Sequence, residues 1–371
     1  MPDPTLGRLR LVAQGLVTRP YARPVDAVAA SVAMQGQDLP GVLASAALRT
    51  TSGRVADVVA DLDAGRLVRG YPMRGTVFLQ SADDVTWTTE LCAAPSLRAA
   101  AARRRQLELT DADLDRAREV SLAFLADGPR SRADLFARWD AAGLSPTGGR
   151  GYHALFVLLG EVTLVYGPWN GTDQDVAIAR EWLPAGGTLE ARFNSDRVAA
   201  TAEMLRRYLT SHGPATIRDF AWWTKLGLKE IRAALPLVET DLESDAASDA
   251  ASDVASATGE PRYWRPGLLE EAAALGRTTA APLLLPGFDE WVLGYADRLF
   301  AMTDDEHAAL VPGNNGVFKK SVVRNGRVVG TWTRSGRAGQ RRLELTEFAP
   351  HSPRQRATLE RLFAGYPWVS A

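Results

Sequence analysis

The phrase GPRSRADLFARW (128–139) returns in altered form as GPATIRDFAWW (213–223). In both, Gly-Pro precedes a hydroxyl residue, Ser131 or Thr216. An acid stands three positions on, Asp134 or Asp219, and aromatic residues follow. A Ser or Thr with an acid three residues later is a helix-start signature, because the hydroxyl accepts from the helix's third backbone N–H. Its return after most of a hundred residues marks an internal repeat, so the chain is built from like units in tandem.

The surroundings of each copy support this. The spacing predicts a helix over 111–125, with apolar residues at Leu114, Ala117, Val120 and Phe124, then helices over 131–139 and 153–160. A β-rich run at 162–166 and a turn at 168–171 follow. A later round has helices over 196–210, 216–223 and 229–234. An earlier round reads as helices over 26–35 and 45–50, a new element starting at Leu39, and a helix over 54–65 with Gly65 as its C-cap. Two short β-rich runs about a Gly/Pro turn come next, within 66–79, which is a hairpin pattern. Helices followed by a hairpin are the plan of the winged helix. From Ala281 the composition turns strand-like, and Asn325-Gly326 between two valine-rich runs signals a type I′ hairpin. A helix over 353–363 closes the chain. The reading is α+β, with units at 1–108, 109–190, 191–278 and 279–371, the last a small β-barrel or sheet.

The net charge of −1 conceals an uneven distribution. Residues 239–260 hold seven acids and no Lys or Arg; the remainder has 43 basic against 37 acidic residues. The stretch is acidic, repetitive and poor in large apolar groups, and it reads as a disordered insertion. The rest is mildly basic and rich in Arg, which pairs bidentately with phosphate. No apolar run is long enough to span a membrane, and no signal peptide is read at the N-terminus. Cys92 is the sole cysteine, so the chain makes no internal disulfide and no cysteine zinc site. These features fit the cytoplasm. His153, His212, His307 and His351 lack metal-ligand spacing, and no metal or cofactor is expected.

LLPGFDEWVLGYADR (284–298), NGVFKKSVVRNGRVVGTW (315–332), MRGTVFLQSADD (73–84) and RYLTSHGPATIRDFAWW (207–223) together resemble the AlkZ/YcaQ-type DNA glycosylase family over nearly the whole chain. The resemblance implies three tandem winged-helix domains and a small C-terminal β-barrel-like domain around a DNA channel. It implies monofunctional excision of alkylated bases from double-stranded DNA, including bases within interstrand crosslinks, by a monomer working at the nucleoid. Some members protect antibiotic producers from their own DNA-alkylating products. The family's catalytic motif is Gln-aliphatic-Gln in one branch and Gln-aliphatic-Asp in the other. Here Met34-Gln35-Gly36-Gln37-Asp38 matches the AlkZ-like branch at Gln35 and Gln37, with Gly36 in place of the aliphatic residue.

Glutamine is an unusual choice for hydrolysis, and two glutamines near a helix end are ordinarily surface groups. The chemistry makes them sufficient. Alkylation at N7 or N3 puts positive charge on the purine, which then leaves readily and yields an oxocarbenium-like sugar. What helps is a carbonyl that holds a water beneath the sugar carbon and dipoles that stabilise positive charge. A side-chain amide offers both an acceptor and donors. Arg74 and Thr76, in the first hairpin, are expected at phosphate and on the lesion side; Phe78 stands where family members often have His. Arg103 and Arg104, in a basic run with Arg98 and Arg105, and Lys319 and Lys320, with the arginines of the C-terminal strands, are expected at phosphates. Asp289 and Glu290 are read as structural, in capping or in pairing with an Arg such as Arg298. The competing readings are a winged-helix transcriptional regulator, which would normally dimerise, and a non-catalytic lesion binder.

Overall fold

A computed structural model describes residues 2–245, 259–337 and 340–369. Its first strand explains the placing of the glutamines. The 26–35 stretch does not stay helical. Helix Pro24–Ala30 ends where the Ser31 hydroxyl bonds back to the Ala27 carbonyl and Val32 takes φ +65°. Met34–Gln35 then forms β1, paired antiparallel with β3 (Thr76–Ser81) through Met34↔Leu79 and Gln35↔Phe78. An Ala/Val-rich segment suits either structure, and here an open sheet edge captured its end. The elements expected at Leu39 and at 45–50 are one helix, Leu39–Leu48, with Pro40 in the first turn, where a missing N–H costs nothing.

Helix Val55–Asp63 buries Val55, Val58 and Leu62 on one face and ends before Gly65 at φ +67°. β2 (Leu67–Met73) then turns into β3 through Arg74 and Gly75, both at positive φ. Helices Val85–Cys92 and Ala94–Gln106 follow, in a stretch with no assignment from sequence. The next round comprises helices Asp111–Leu125, Arg132–Ala141 and Arg150–Gly160, then β4 (Leu164–Trp169) and β5 (Gln174–Ile178). It has its own core, around Leu114, Leu135, Trp139, Leu155 and Leu158. The two hairpins are not separate wings. They join in one five-stranded sheet of order β1-β3-β2-β4-β5, and the seam between them is the pairing Arg69↔Tyr166.

The repeated phrase behaves alike in both copies. Ser131 and Thr216 each cap a helix, accepting from Asp134 N–H and Asp219 N–H at 3.1 Å. Only Thr216 has the full reciprocal box. The residue before each cap bridges to a strand: Arg130 to Val176, and Ala215 to Tyr263. That second strand is β7 (Tyr263–Trp264), paired with β6 (Glu243–Ser244) after helices Arg197–His212, Ile217–Thr224 and Leu228–Ala234. The near end of the acidic stretch is therefore ordered, contrary to the expectation of disorder over 239–260. Glu239 accepts from Tyr263 Oη, and Glu243 from Trp264 Nε1 and Gly267 N–H, so these acids have built partners. Residues 246–258 lie outside those described.

The C-terminal strands β8 (Leu283–Leu285), β9 (Ser321–Arg324), β10 (Arg327–Ser335) and β11 (Arg342–Glu347) form an open sheet of order β11-β10-β9-β8, not a barrel. β11 alternates exposed and half-buried residues, so its outer edge faces solvent, and β8 is too short to close with it. Asn325-Gly326 makes the expected turn, at φ +52° and +69°. FDEW, which lies where the composition turns strand-like, leads instead into the short helix Glu290–Leu293. Helix Pro353–Ala364 packs on Trp332, whose indole N–H bonds the Leu285 carbonyl. One continuous core runs from the N-terminal helix Pro4–Ala13 through Tyr208 and Trp223 to Trp291 and Trp332.

Candidate active site

Gln35 and Gln37 have different environments. β1 ends at Gln35, so strand alternation no longer puts residue 37 on its face. Gln35 is 6% exposed. Its backbone N–H donates to Glu290 Oε1 at 2.7 Å and its Nε2 to Thr76 Oγ1 at 3.3 Å; its Oε1 accepts from Gly36 N–H. Gln37 is exposed and lines a cavity of about 420 Å³ with Gly36, Thr76, Arg69, Arg132, Tyr152 and Asp173. Tyr71 and Tyr166 add aromatic walls. Asp173, the only carboxylate in the lining among the described residues, is held by Arg69 at 3.0 Å and Arg132 at 3.5 Å.

Gly36 makes room for Arg69. The glycine has no left-handed φ, so its backbone does not require glycine; the surrounding space does. A Cβ there would meet Leu79 N and Phe78 C at 3.2 Å and Arg69 Cδ at 3.3 Å. The Arg69 guanidinium bonds the Gly36 carbonyl at 3.2 Å, Asp173 Oδ1 at 3.0 Å and Gln174 Oε1. It thus ties the glutamine motif to the hairpin of the second round. Burial pushes its pKa down and Asp173 opposes that.

Behind the motif lies a buried polar layer. Glu290 accepts from Gln35 N–H and, at 3.2 Å, from Trp223 Nε1, with His212 Nε2 3.6 Å away. Asp289 caps its helix through Trp291 N–H and takes two bonds of 3.0 Å from Arg49, with a third from the Ser45 hydroxyl. Burial would raise the Asp289 carboxyl, but Arg49 and these hydrogen bonds outweigh it and hold the group below the usual carboxylate range. The structural reading of both acids fits this geometry. The partner of Asp289 is Arg49, not Arg298.

The other expected residues divide into two sets. Thr76 meets Gln35 directly. Arg74 sits two residues before it, its guanidinium over the rings of Phe78 at 5.0 Å and Trp222 at 4.9 Å. Phe78 is fully buried and edge-on to Trp223, so it packs and does not stack on a ligand. Lys319 is exposed; Lys320 lies over Trp332, its pKa lowered by burial against the opposing effect of nearby Asp38. Arg103 and Arg104 line neither the cavity nor the motif. Arg103 bonds Gln106 and Arg104 pairs with Asp111 at 2.8 Å. Sequence reasoning missed Arg69, Arg132 and Tyr152. Only the 58% exposure of Tyr152, visible after folding, singles one of them out.

Among the described residues no three His, Cys, Asp or Glu side chains are grouped to hold a metal, and no helix is long and apolar enough to cross a membrane. A second cavity, about 880 Å³, lies elsewhere. The five arginines in its lining are all paired: Arg23 with Asp26, Arg66 with Asp61, Arg192 and Arg207 with Asp84, and Arg206 with Glu203.

The chain belongs to the AlkZ-like DNA glycosylase family, whose description reads "DNA glycosylase AlkZ-like" and which matches residues 28–366. It is therefore a DNA glycosylase, a hydrolase acting on the bond between base and sugar. In fold it is similar to the Streptomyces sahachiroi DNA glycosylase AlkZ, with a TM-score of 0.71 at 19% identity, over 99% of this chain and 98% of that one. No curated protein matches by sequence.

Proposed function

We propose that the protein hydrolyses the N-glycosidic bond of cationic N7- and N3-alkylated purines in double-stranded DNA, with Gln37 holding the attacking water and Gln35 positioning the motif. The observation that carries this is the exposed Gln37 amide in a cavity whose only carboxylate among the described residues, Asp173, is already engaged by two guanidinia. Such a wall has no free general base. It suits a leaving group that departs on its own charge and a water that needs aiming more than deprotonation. The Gln37 carbonyl accepts from the water, and the amide dipole faces the developing sugar cation. Gln35, buried and bonded at its backbone by Glu290, keeps that wall in place. The three helical rounds act as winged-helix-like units, the first two sharing one sheet, and with the C-terminal sheet they flank the DNA. Arg74, Thr76, Lys319 and Lys320 lie on the DNA side, and Arg103 and Arg104 contact phosphate further out. An open cavity reached from the sugar side avoids drawing a bulky adduct fully out of the stack. We extend the reading to crosslinked bases and to protection against a DNA-alkylating natural product, by a cytoplasmic monomer.

The test is base release from a duplex with one N7-alkylguanine, scored as abasic sites cleaved by alkali. Wild-type protein should leave abasic sites and the Gln35→Ala/Gln37→Ala double variant should not. Release by the double variant at the wild-type rate contradicts the assignment.

A further inference from the structure

Three cations crowd one indole, and among the described residues none of them forms an ion pair with an acid. The Arg74 and Arg298 guanidinium carbons lie 4.9 and 4.8 Å from the Trp222 ring centre, and the Lys225 ammonium 5.4 Å. They come from separate parts of the chain. Arg74 is in the β2–β3 turn, Lys225 follows helix Ile217–Thr224, and Arg298 lies beyond helix Glu290–Leu293. Like charges at this range repel. Burial pushes the Arg298 guanidinium down and Arg74 adds to it, with Asp297 opposing; burial lowers Lys225, and Arg74 and Arg298 add to that.

Crowded arginines elsewhere in the protein have acids: Arg49 has Asp289, Arg69 has Asp173, Arg207 has Asp84. Among the described residues, Arg74, Lys225 and Arg298 have no carboxylate oxygen within 4.0 Å, since the nearest acids are turned elsewhere. Glu290 serves Gln35 and Trp223, and Asp297 accepts from Leu299 N–H. Nε and Nη2 of Arg74 and Nε of Arg298 are covered from solvent and meet no acceptor. Buried donors are nearly always satisfied, so three in one cluster point to an acceptor that arrives from outside.

We propose that Arg74, Lys225 and Arg298, arranged about Trp222, form a subsite for one backbone phosphate of the DNA strand whose sugar faces Gln37. This rests on the glycosylase reading above. A phosphodiester supplies one negative charge and several acceptor oxygens, which suit two forked guanidinia and one ammonium. The indole is an apolar floor that keeps both guanidinia in place. The subsite adjoins the reacting centre, because Arg74 is two residues from Thr76 and Thr76 accepts from Gln35. Its work is to fix the register of the damaged strand without reading sequence.

The test is the salt dependence of binding to a duplex with a tetrahydrofuran abasic analogue, followed by fluorescence anisotropy. Arg298→Gln and the exposed Lys225→Gln should each bind about ten-fold more weakly and flatten the log–log salt slope by about 0.9. Thermal unfolding separates this from a merely structural role. Removing one repelling cation should leave Tm unchanged or raised, whereas a structural residue would lower it. In a second arm a neutral methylphosphonate is walked along the strand. One position should weaken wild type about as much as Arg298→Gln does, and should not weaken that variant further. Wild-type slopes in both variants, or additive effects at every methylphosphonate position, overturn the subsite alone. A wild-type protein that fails to bind the duplex at all overturns the glycosylase reading and the subsite with it.

Discussion

Replacing Gly36 by leucine restores the family's aliphatic residue, and the structure predicts that it harms this protein. A Cβ at position 36 already meets the β3 backbone at 3.2 Å and Arg69 Cδ at 3.3 Å, so the remaining carbons of leucine need the space that Arg69 fills. Overpacking of this kind costs about 1–3 kcal/mol. Displacing the guanidinium breaks bonds to the Gly36 carbonyl, Asp173 and Gln174. Losing a charge-assisted bond costs about 1.5–3 kcal/mol. Removing a glycine from the unfolded chain returns only about 0.5–1 kcal/mol. Gly36→Leu should therefore destabilise by roughly 2–5 kcal/mol, while Gly36→Ala, which asks for a shift of a few tenths of an ångström, should be close to neutral. The assay is urea unfolding of wild type, Gly36→Leu, Arg69→Ala and the double variant. Because the two residues compete for one volume, the double variant should lose about 1 kcal/mol or more less than the sum of the single losses. A Gly36→Leu midpoint equal to wild type, or strict additivity, would refute the packing argument.

Further outcomes follow from the same geometry. Gln37→Ala should lower single-turnover excision about a hundred-fold or more while leaving Tm within a degree or so, since the side chain is exposed and buries no partner; comparable activity in the variant counts against the assigned role. Asp289→Ala should destabilise by about 3–5 kcal/mol, because it leaves Arg49 charged and unpaired in the interior; urea unfolding reads this. The Asp289 carboxyl is held below its unfolded value, so its contribution is present above about pH 4 and is lost as pH falls through the folded value. Asp289→Asn should therefore show a shallower fall in stability on acidification than wild type. The cavity phenols Tyr71 and Tyr166 are both raised by burial and stay neutral, so excision of an N7-alkylguanine should be level between about pH 6 and 8.5; a bell-shaped profile would reveal an acid–base pair that the geometry lacks.

What could be read before folding was local. Ser131 and Thr216 announce their helices because a cap and its third residue are neighbours in sequence, and Asn325-Gly326 declares its turn for the same reason. Likeness to a family singles out Gln35 and Gln37, but not that one is buried and the other exposed, because that depends on where β1 stops. Nothing in an Ala/Val-rich stretch shows that Val32 will adopt a positive φ and release Met34 to a sheet edge. Arg69, Arg49, Glu290 and Arg298 make their contacts across long sequence separations. An arginine at one position looks like any other until its acceptors, or their absence, come into view. The acidic stretch misled for a related reason: Glu239 and Glu243 look solvated until Tyr263 and Trp264 fold back on them.

A water aimed by an amide is enough when the substrate carries its own charge. The most direct test is single-turnover excision on two duplexes identical except for the lesion, N7-methylguanine in one and uracil in the other. The cationic base should be released readily and the neutral one should not be released above background, since neither Gln35 nor Gln37 can protonate it. Comparable rates on the two duplexes would contradict both the charge argument and the part given to the glutamines.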